Sequence, residues 1–311
     1  MSCVCAFLLS CFLVHWIKKF ALQWGLFDQP SHRKVHQIPV PRLGGVGIAL
    51  SFLAVASWSL PCAAGGGAAF ILGVLDDIKS VSYRTKLFWQ AVIGLMMACM
   101  LPPILMLDLG FFGLWSVGIV GPLLIAFWFM LCMNAVNLID GVDGLCAGVV
   151  LVSLGLLFAV TLDMRIAILM ASVVGFLVYN YSPASIFMGD GGSYFLGFML
   201  AFFCLQRFGN AGRFELVPAV WIVWLPIFEL VLSIVRRYLS GRPIFSADRG
   251  HIHHHLLHLG LGPSQVMWLM MTVQLGPGTI GVLLLWIYRK CYRGTTVRSV
   301  IFHTPPERTS L

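Results

Sequence analysis

The stretch GPLLIAFWFMLCMNAVNLIDGVDGL (residues 121–145) is an apolar run that ends in regularly spaced polar residues. Two amides and two carboxylates, Asn134, Asn137, Asp140 and Asp143, follow one another at intervals of three. Carboxylates close to hydrocarbon are costly unless they are paired with a cation or a metal. The stretch therefore predicts a membrane-spanning helix that ends in a functional loop.

The whole chain has the composition of a membrane protein. Of its 311 residues, 59% are hydrophobic and only 10% are charged, and the mean hydropathy is +0.91. A water-soluble domain would lack the polar surface to cover such a core. We therefore expect an all-α, polytopic helical bundle that forms a single domain over residues 1–311, with a flexible tail over 290–311.

Apolar runs predict about ten transmembrane helices. The runs lie at about residues 3–20, 43–60, 62–75, 86–107, 111–135, 145–162, 166–181, 192–206, 216–235 and 265–288. The pair at 43–75 could instead be one long helix, but Pro61 and the glycine triplet at 65–67 favour two spans. Positive charge follows the first run instead of preceding it, so we expect a retained span with its N-terminus outside.

With this topology, five loops face one compartment, at residues 21–42, 76–85, 136–144, 182–191 and 236–264. They hold or flank most lysines and arginines, whereas the internal loops of the other side carry only Arg165, Arg207 and Arg213. The positive-inside rule makes the five loops cytoplasmic, although the basic tail after Ile287 falls on the other side. The net charge of +8 is thus typical of membrane loops and favours a phosphate-bearing or membrane-surface partner over nucleic acid.

Two of these loops are rich in oxygen ligands. In FILGVLDDIKS, Asp76 and Asp77 repel each other, so one resists ionisation unless a cation such as Lys86 lies nearby. In NAVNLIDGVDGL, carboxylate and amide oxygens suit Mg²⁺, which prefers one or two carboxylates plus substrate phosphates. Helix N-capping is the alternative for the aspartates of the second loop.

The segment YNYSPASIFMGDGGSYFLGF (residues 179–198) opens another helix with glycines. Gly191 and Gly192 would let backbone N–H groups approach a phosphate at the helix N-terminus, while Asp190 could hold a metal. A plain tight turn is the alternative, but it would not require Asn180 or Phe187.

The segment FSADRGHIHHHLLHLG (residues 245–260) is rich in histidine. It has no HExxH motif and no cysteine partner, which disfavours zinc catalysis. Imidazoles beside Arg249 would instead suit a phosphate clamp.

These motifs together resemble those of the polyprenyl-phosphate N-acetylhexosamine-1-phosphate transferase superfamily (glycosyltransferase family 4), which includes the WecA/TagO-like and MraY enzymes. The similarity rests on PRLGG (residues 41–45), LDD with the downstream KL, NAVNLIDGVDGL, YNYSPA followed by FMGDGGS, and DRGHIHHHL, in the family's order. It covers essentially the whole chain. HIHH in place of MHHH points to the WecA/TagO-like branch.

The resemblance implies transfer of N-acetylhexosamine 1-phosphate from a UDP-sugar such as UDP-GlcNAc to undecaprenyl phosphate, with release of UMP. It implies Mg²⁺ as cofactor, which Mn²⁺ could replace, and an active site on the cytoplasmic face of a bacterial inner membrane. A homodimer in membrane lipid is the expected assembly, with no nucleic acid partner. The sugar, and the choice among O-antigen, teichoic acid, capsule and protein glycan, stay open.

Residue roles follow from the same resemblance. Asn137 and Asp190 would bind Mg²⁺ on the pyrophosphate, and Asp76 and Asp77 would lie near the lipid phosphate. The remaining expected contacts are Phe187, Asn180 and Asp143 with uracil, Asp140 with the ribose side, and His251, His253, His254 and Arg249 with phosphate. Arg42, Lys86 and Asn134 are further candidates for substrate binding. The expected catalytic set is Asp76, Asp77, Asp190, His251, His253 and His254.

Some alternatives stay open at this point. Asp76 could take a proton or only position the acceptor, and a covalent phospho-aspartate is a less favoured route. Glu229 stands where the branch usually has aspartate and could pair with a neighbouring helix or with Arg236. A transporter for an anionic solute and an intramembrane metalloprotease are the rival functions.

Overall fold

Helices form most of the computed structural model, which describes residues 1–28, 39–210, 212–243 and 250–301, with side chains as far as residue 284. The helices are α1 Ser2–Gln23, α2 Gly44–Val55, α3 Leu60–Lys79, α4 Tyr83–Met100, α5 Gly121–Leu138, α6 Leu145–Thr161, α7 Met164–Asn180, α8 Gly189–Phe208, α9 Leu216–Ile222, α10 Trp224–Leu239, α11 Ile252–His258 and α12 Pro263–Ile301. Every predicted apolar run overlaps at least one of them. The predicted all-α membrane class is therefore confirmed.

Fewer than ten of the described helices qualify as spans by length and composition alone. Four are long and apolar enough to cross a membrane: Ser2–Gln23, Leu60–Lys79, Gly118–Leu138 and Pro263–Leu284. The pair α9 and α10, bent by 87°, would make a fifth. Helices α2, α6 and α7 are apolar but have only 12, 17 and 17 residues.

The outer surface of the bundle suits a lipid environment. On α1, Leu8, Phe12, Trp16 and Phe20 recur at every fourth residue and are 42–59% exposed. Residues four apart lie on one face of a helix, so these side chains form a continuous apolar stripe. In water such a stripe would need a partner, whereas lipid tails cover it at no cost.

The region 43–75 forms two helices, as predicted, but the break lies elsewhere than expected. Residues 56–59 separate α2 from α3, Pro61 lies in the first turn of α3, and the glycine triplet lies within that helix. A side chain at Gly65 would overlap the ring of Phe198 on α8. Gly65 thus allows close helix packing, and the triplet does not end a helix.

A small sheet replaces the ends of two predicted spans. Strands β3 Met106–Asp108, β4 Leu114–Ser116, β5 Gly209–Asn210 and β6 Arg213–Glu215 pair in the order β4-β3-β6-β5. The runs at 86–107 and 111–135 were therefore predicted too long, since α4 ends at Met100 and α5 begins at Gly121. Pro102 and Pro103 explain the first of these ends, because proline cannot continue a helix.

Helix α8 is the centre of the bundle, and its first turn brings the functional loops together. All of its residues from 191 to 205 are buried, with α2, α3, α5 and α6 packed around it. A Cβ on Gly73 of α3 would overlap the backbone of Asp190, and one on Gly45 of α2 would overlap Gly192. These close crossings place the ends of α2 and α3 against the start of α8.

Helix α12 packs against α6 and α9 and contains Pro277. Its backbone is described as far as Ile301, and residues 302–311 lie outside the described part of the chain. The single-domain organisation and the flexible tail stay predictions.

Candidate active site

Parts of all five polar loops meet at one end of the bundle. Phe187 joins the PRLGG motif, because its N–H donates to the Pro41 carbonyl (2.8 Å) and its own carbonyl accepts from Gly44 N–H (2.9 Å). The short strands β1 Phe27–Asp28 and β2 Val40–Pro41 lie on the same side. This end of the molecule is the site that the motifs predict.

Asp76, Asp190, Asn137 and Lys86 form a cluster at the meeting point of α3, α4, α5 and α8, called here the carboxylate cluster. Asn137 Nδ2 donates to Asp190 Oδ1 (2.7 Å). Lys86 Nζ forms an ion pair with Asp76 Oδ2 and lies 3.5 Å from Asp190 Oδ2. Asp76 is only 5% exposed, and its Oδ1 accepts from the Val81 N–H (2.8 Å). Four distant segments thus supply one compact group of carboxylates, amide and ammonium.

Asp77 differs from its neighbour, because both of its oxygens bind the start of α8. Oδ1 accepts from Asp190 N–H (2.9 Å) and Oδ2 from Gly191 N–H (3.0 Å). Gly189 has φ +77°, and a Cβ there would lie 2.6 Å from Asp77 Oδ2. The expectation that the Gly191 N–H binds a phosphate is therefore wrong: a carboxylate from α3 already occupies this helix N-terminus, where negative charge is favoured.

Asp140 lies in the turn between α5 and α6, next to the carboxylate cluster. Loss of contact with water, together with the charges of Asp190 and Asp77, raises the pKa of Asp140 to about 8. The positive charge of Arg42 acts in the opposite direction. Arg42 and Asp140, both predicted to contact substrate, therefore lie close enough to the cluster to interact with it electrostatically.

Asp143 and Asn180 join the α5–α6 loop to the segment after α7. Asp143 Oδ2 accepts from the Ala184 N–H (2.9 Å). Asn180 is 4% exposed; its Oδ1 accepts from Gly144 N–H (3.0 Å) and its Nδ2 donates to the Ile186 carbonyl (2.8 Å). In this geometry both side chains position the two loops. Phe187 is half-buried in the same segment, and contacts of the three with uracil stay predictions.

Asn134 lies apart from the cluster, one turn earlier on α5. Its Nδ2 donates to Gln90 Oε1 (2.6 Å) on α4 and to the Met130 carbonyl (2.8 Å). Gln90 is fully buried. The position of Asn134 therefore favours a contact between α4 and α5 over the predicted contact with substrate.

The histidines gather around a buried carboxylate that α10 supplies. Glu229 is 0% exposed; its Oε1 accepts from Ile252 N–H (3.0 Å) at the start of α11, and its Oε2 lies 3.6 Å from His251 Nδ1. His251 and His253 stack with ring centres 5.2 Å apart, and the His253 and His254 centres are 4.5 Å apart. Glu229 thus pairs with the histidine segment, one of the two alternatives that the sequence left open.

His253 acts as a neutral group. Burial, together with the neighbouring His254 and His251 rings, lowers the pKa of His253 to about 3. This low pKa favours the neutral form of His253, which can contact a phosphate through a hydrogen bond. A Cβ on Gly141 would lie 3.1 Å from His253 Nε2, so this ring faces the loop that carries Asp140. Arg249 lies outside the described residues.

Two serines and Glu229 complete the site, and the motifs predicted no role for them. Ser193 Oγ accepts from Asn137 Nδ2 (2.9 Å), and Ser233 Oγ lies 3.1 Å from His251 Nδ1. Ser193 ends the FMGDGGS motif, which was a signal for it. Glu229 is a carboxylate inside an apolar run, a position that usually marks function. Ser233 had no comparable signal.

The donors at this site suit Mg²⁺. Among the described residues, no three His, Cys, Asp or Glu side chains are arranged to hold a metal ion, whereas a structural zinc site needs four protein ligands. Asp190 and Asn137 offer hard oxygen atoms, and the cluster already attracts the Lys86 ammonium. Magnesium uses one or two carboxylates and leaves its other positions to water and substrate phosphates, so these residues fit it.

Fold and site together define a helical membrane protein with a polar site for charged ligands at one end. The profile of the family described as "Glycosyl transferase family 4" matches residues 60–207. A probable undecaprenyl-phosphate N-acetylglucosaminyl 1-phosphate transferase of Bacillus subtilis is 34% identical over 267 residues, covering 79% of this chain and 73% of the relative.

Two further relatives carry the name undecaprenyl-phosphate alpha-N-acetylglucosaminyl 1-phosphate transferase. The protein of Yersinia pestis is 31% identical over 89% of this chain and 82% of its own. That of Thermotoga maritima is 32% identical over 79% of this chain and 78% of its own. The chain therefore belongs to glycosyl transferase family 4, and the resemblance drawn from its motifs is confirmed.

Proposed function

We propose that this protein transfers N-acetylglucosamine 1-phosphate from UDP-N-acetylglucosamine to undecaprenyl phosphate and releases UMP. The observation that carries the proposal is the carboxylate cluster, where Asp190 contacts Asn137 and Lys86 at one end of the bundle. The names of the relatives suggest the acceptor lipid and the sugar. The downstream product would be a lipid-linked first sugar of a cell-envelope polysaccharide such as O-antigen, teichoic acid or capsule.

The proposed location is the inner membrane of a bacterium, with the site facing the cytoplasm. The positive-inside rule supports this orientation, because basic residues gather in the five loops of the site. Ten spans would require α2, α4, α6, α7 and α8 to cross along with the longer helices. Seventeen residues are near the lower limit for a span, so α6 and α7 suit a bundle with little tilt. A homodimer is part of the same proposal.

The reaction would bring two anions together. The acceptor phosphate oxygen attacks the sugar-linked phosphorus, the bond to the UMP oxygen breaks, and UMP leaves with the bonding electrons. Lys86 and Arg42 would offset the repulsion between the anions, and Asp190 and Asn137 would hold Mg²⁺. When bound, that ion would supply charge neutralisation on the pyrophosphate.

A strong general base is not required for this step. A phosphate monoester has a second pKa of about 6 and is largely dianionic at neutral pH. Asp76, which is buried and paired with Lys86, would then position the lysine, while proton removal or a covalent route at this residue stays open. Neutral His253, beside the Gly141 loop, would donate a hydrogen bond to a phosphate oxygen.

The test is UMP release by the purified full-length protein. We expect release only with undecaprenyl phosphate, UDP-N-acetylglucosamine and Mg²⁺ together, and none after EDTA. Asp190→Asn should abolish release while the protein stays folded in detergent. Glu215→Gln, which removes a carboxylate from β6 at the other end of the bundle, is the matched control.

The donor and the reaction class are tested in the same assay. UDP-N-acetylgalactosamine as a poor donor would support the sugar assignment. Absence of release with every donor, combined with uptake of an anionic solute into vesicles, would favour the transporter alternative and overturn the proposal.

A further inference from the structure

A cleft of about 720 Å³ lies at the end of the bundle opposite the candidate active site. The last turn of α8, the start of α7 and the linker after α4 enclose it. Asp190 and Arg207 stand at the two ends of α8, about 26 Å apart along the helix axis at about 1.5 Å per residue. The cleft is therefore separate from the carboxylate cluster.

Three arginines line this cleft, called here the arginine cavity: Arg165, Arg207 and Arg213. They are the same three basic residues that the topology assigns to internal loops on the side opposite the active site. They come from α7, α8 and β6, so the fold, and not the sequence, brings them together. Three like charges in one cavity repel each other unless anions lie among them.

Two of these arginines, Arg165 and Arg213, pair with carboxylates. Asp163 accepts two hydrogen bonds from Arg165 Nε (3.0 Å each) and one from its Nη2 (2.5 Å). Asp108, which is 2% exposed, accepts from Arg213 Nη2 (2.8 Å). Of these two carboxylates, only Asp163 lies in the lining.

Hydrogen-bonding capacity remains on the arginines that reach the cavity. The side chain of Arg213 is 41% exposed, and its Nε has no hydrogen-bond partner among the described residues. The side chain of Arg165 is 26% exposed, and Arg207 Nε donates to a neutral acceptor, the Val160 carbonyl (3.0 Å). Guanidinium groups with N–H donors in a planar fork match the oxygens of a phosphate.

Part of the remaining wall of the cavity is apolar. Ile104, Ile166, Phe203 and Leu205 line it and are at most 6% exposed. The cavity is larger than an inorganic phosphate ion, so a bound phosphate would leave the apolar residues of the wall without contact. An anion with an attached hydrocarbon part would contact both the arginines and the apolar residues. Lipid headgroups lie at the end of a membrane bundle, so an anionic lipid could supply such a ligand.

We infer that the arginine cavity binds a phosphate ester, with the headgroup phosphate of an anionic membrane lipid as the ligand that fits both of its walls. Arg165, Arg207 and Arg213 hold the phosphate oxygens, and Ile104 and Phe203 contact the first part of the hydrocarbon. The site does not depend on the transferase activity at the other end of the molecule.

The inference is tested by native mass spectrometry and thermal unfolding of the full chain in a neutral detergent. Phosphatidylglycerol should bind and raise the midpoint of unfolding, and dioleoylglycerol, which lacks the phosphate, should do neither. Competition by inorganic phosphate would show that the phosphate itself is recognised. Stabilisation by inorganic phosphate with no advantage for the lipid would assign the site to a soluble phosphate, and binding of neither would overturn the inference.

Matched variants identify the binding residues. Arg207→Gln combined with Arg213→Gln should weaken phosphatidylglycerol binding by about tenfold or more, because charge-assisted hydrogen bonds are lost. Lys19→Gln removes an exposed cation from α1 and should leave binding unchanged. If the double glutamine variant fails to fold, the double variant Arg207→Lys and Arg213→Lys replaces it. Lysine keeps the positive charges but lacks the planar guanidinium group, so this variant should bind phosphatidylglycerol more weakly than the wild type. Wild-type affinity in the folded arginine variants would overturn the inference.

Discussion

At the scale of single residues, Asp77 and Asp190 carry the same functional group in different surroundings. Both carboxylate oxygens of Asp77 accept hydrogen bonds from the backbone N–H groups of Asp190 and Gly191. The side chain of Asp190 is 30% exposed and faces Asn137 and Lys86. These contacts indicate a positioning role for Asp77 and leave Asp190 available for the metal-binding role proposed above.

Asp77→Ala should destabilise the protein strongly. Its removal leaves two buried N–H groups at the start of α8 without acceptors, which costs about 2 kcal/mol or more. Thermal unfolding in detergent measures this loss. Asp190→Asn should lower the midpoint far less while abolishing UMP release, and equal destabilisation by the two substitutions would contradict the division of roles.

Glu229→Asp should retain more activity than Glu229→Ala. Both shorten the side chain, but only aspartate keeps a carboxylate for the Ile252 N–H and the histidines. A buried carboxylate whose hydrogen-bond partners remain costs about 2 kcal/mol or more to remove. The readouts are kcat and KM for UMP release together with thermal unfolding. Equal kcat in the two variants would show that Glu229 does not orient the histidines.

Asp140→Asn should reduce the loss of folding stability that occurs as pH rises from 3.8 to about 8. The pKa of Asp140 is about 8 in the folded protein against an ordinary value of 3.8, so the folded state holds a proton that the unfolded chain releases. The free energy of unfolding therefore falls as pH rises through this window. Asparagine carries no such proton. Unfolding midpoints measured without divalent ions at about pH 5 and about pH 9 should differ less in the variant than in the wild type, and an unchanged difference would refute the assignment.

At the scale of elements, the crossing of α3 and α8 decides whether the site forms. Gly73 lies against the backbone of Asp190, and a Cβ there would overlap its carbonyl oxygen. The crossing brings the LDD motif of one helix to the first turn of the other. A larger distance between α3 and α8 would therefore displace the residues of the site from one another without altering any polar side chain.

Gly73→Ala should lower both stability and activity. Overpacking of this kind costs about 1–3 kcal/mol, and separation of the helices should reduce UMP release by tenfold or more. Gly67→Ala on the same helix is the matched control, because no atom lies within 4 Å of its Cβ position. That change should be neutral or stabilising by up to about 1 kcal/mol. Equal effects of the two substitutions would rule out the packing argument.

At the scale of the whole molecule, each end of the bundle holds a distinct group of charged side chains. One end holds the carboxylate cluster, and the other holds the arginine cavity. The proposed orientation places the first end in the cytoplasm. Single reporter residues in exposed turns can test that orientation directly.

Leu162→Cys and Lys79→Cys should react from opposite sides of the membrane. Leu162 is 72% exposed in the turn between α6 and α7, and Lys79 is exposed at the end of α3. In a background without the native cysteines, a membrane-impermeant maleimide should label Leu162→Cys in intact spheroplasts and Lys79→Cys only after lysis. The reverse pattern would invert the topology and place the candidate active site outside.

Much of this organisation could be predicted from the sequence. The ten apolar runs each overlap a helix, because a chain in lipid must satisfy its backbone hydrogen bonds within each segment. Ten successive spans put every second loop on the same side of the membrane, which predicted one side for the five polar loops. Parts of all five loops meet at one end of the structure. The run at 86–107 was predicted too long, because hydropathy does not distinguish a buried helix from an apolar strand such as β3.

The sequence by itself determined the membrane class, the family and most of the polar residues at the site, since these depend on composition and on the local order of motifs. Only the tertiary structure decided what each residue does. Asp76 and Asp77 are adjacent in the chain, but one pairs with Lys86 and the other binds the start of α8. Glu229, Ser193 and the arginine cavity likewise depend on contacts between helices that are distant in sequence, and no local pattern encodes such contacts.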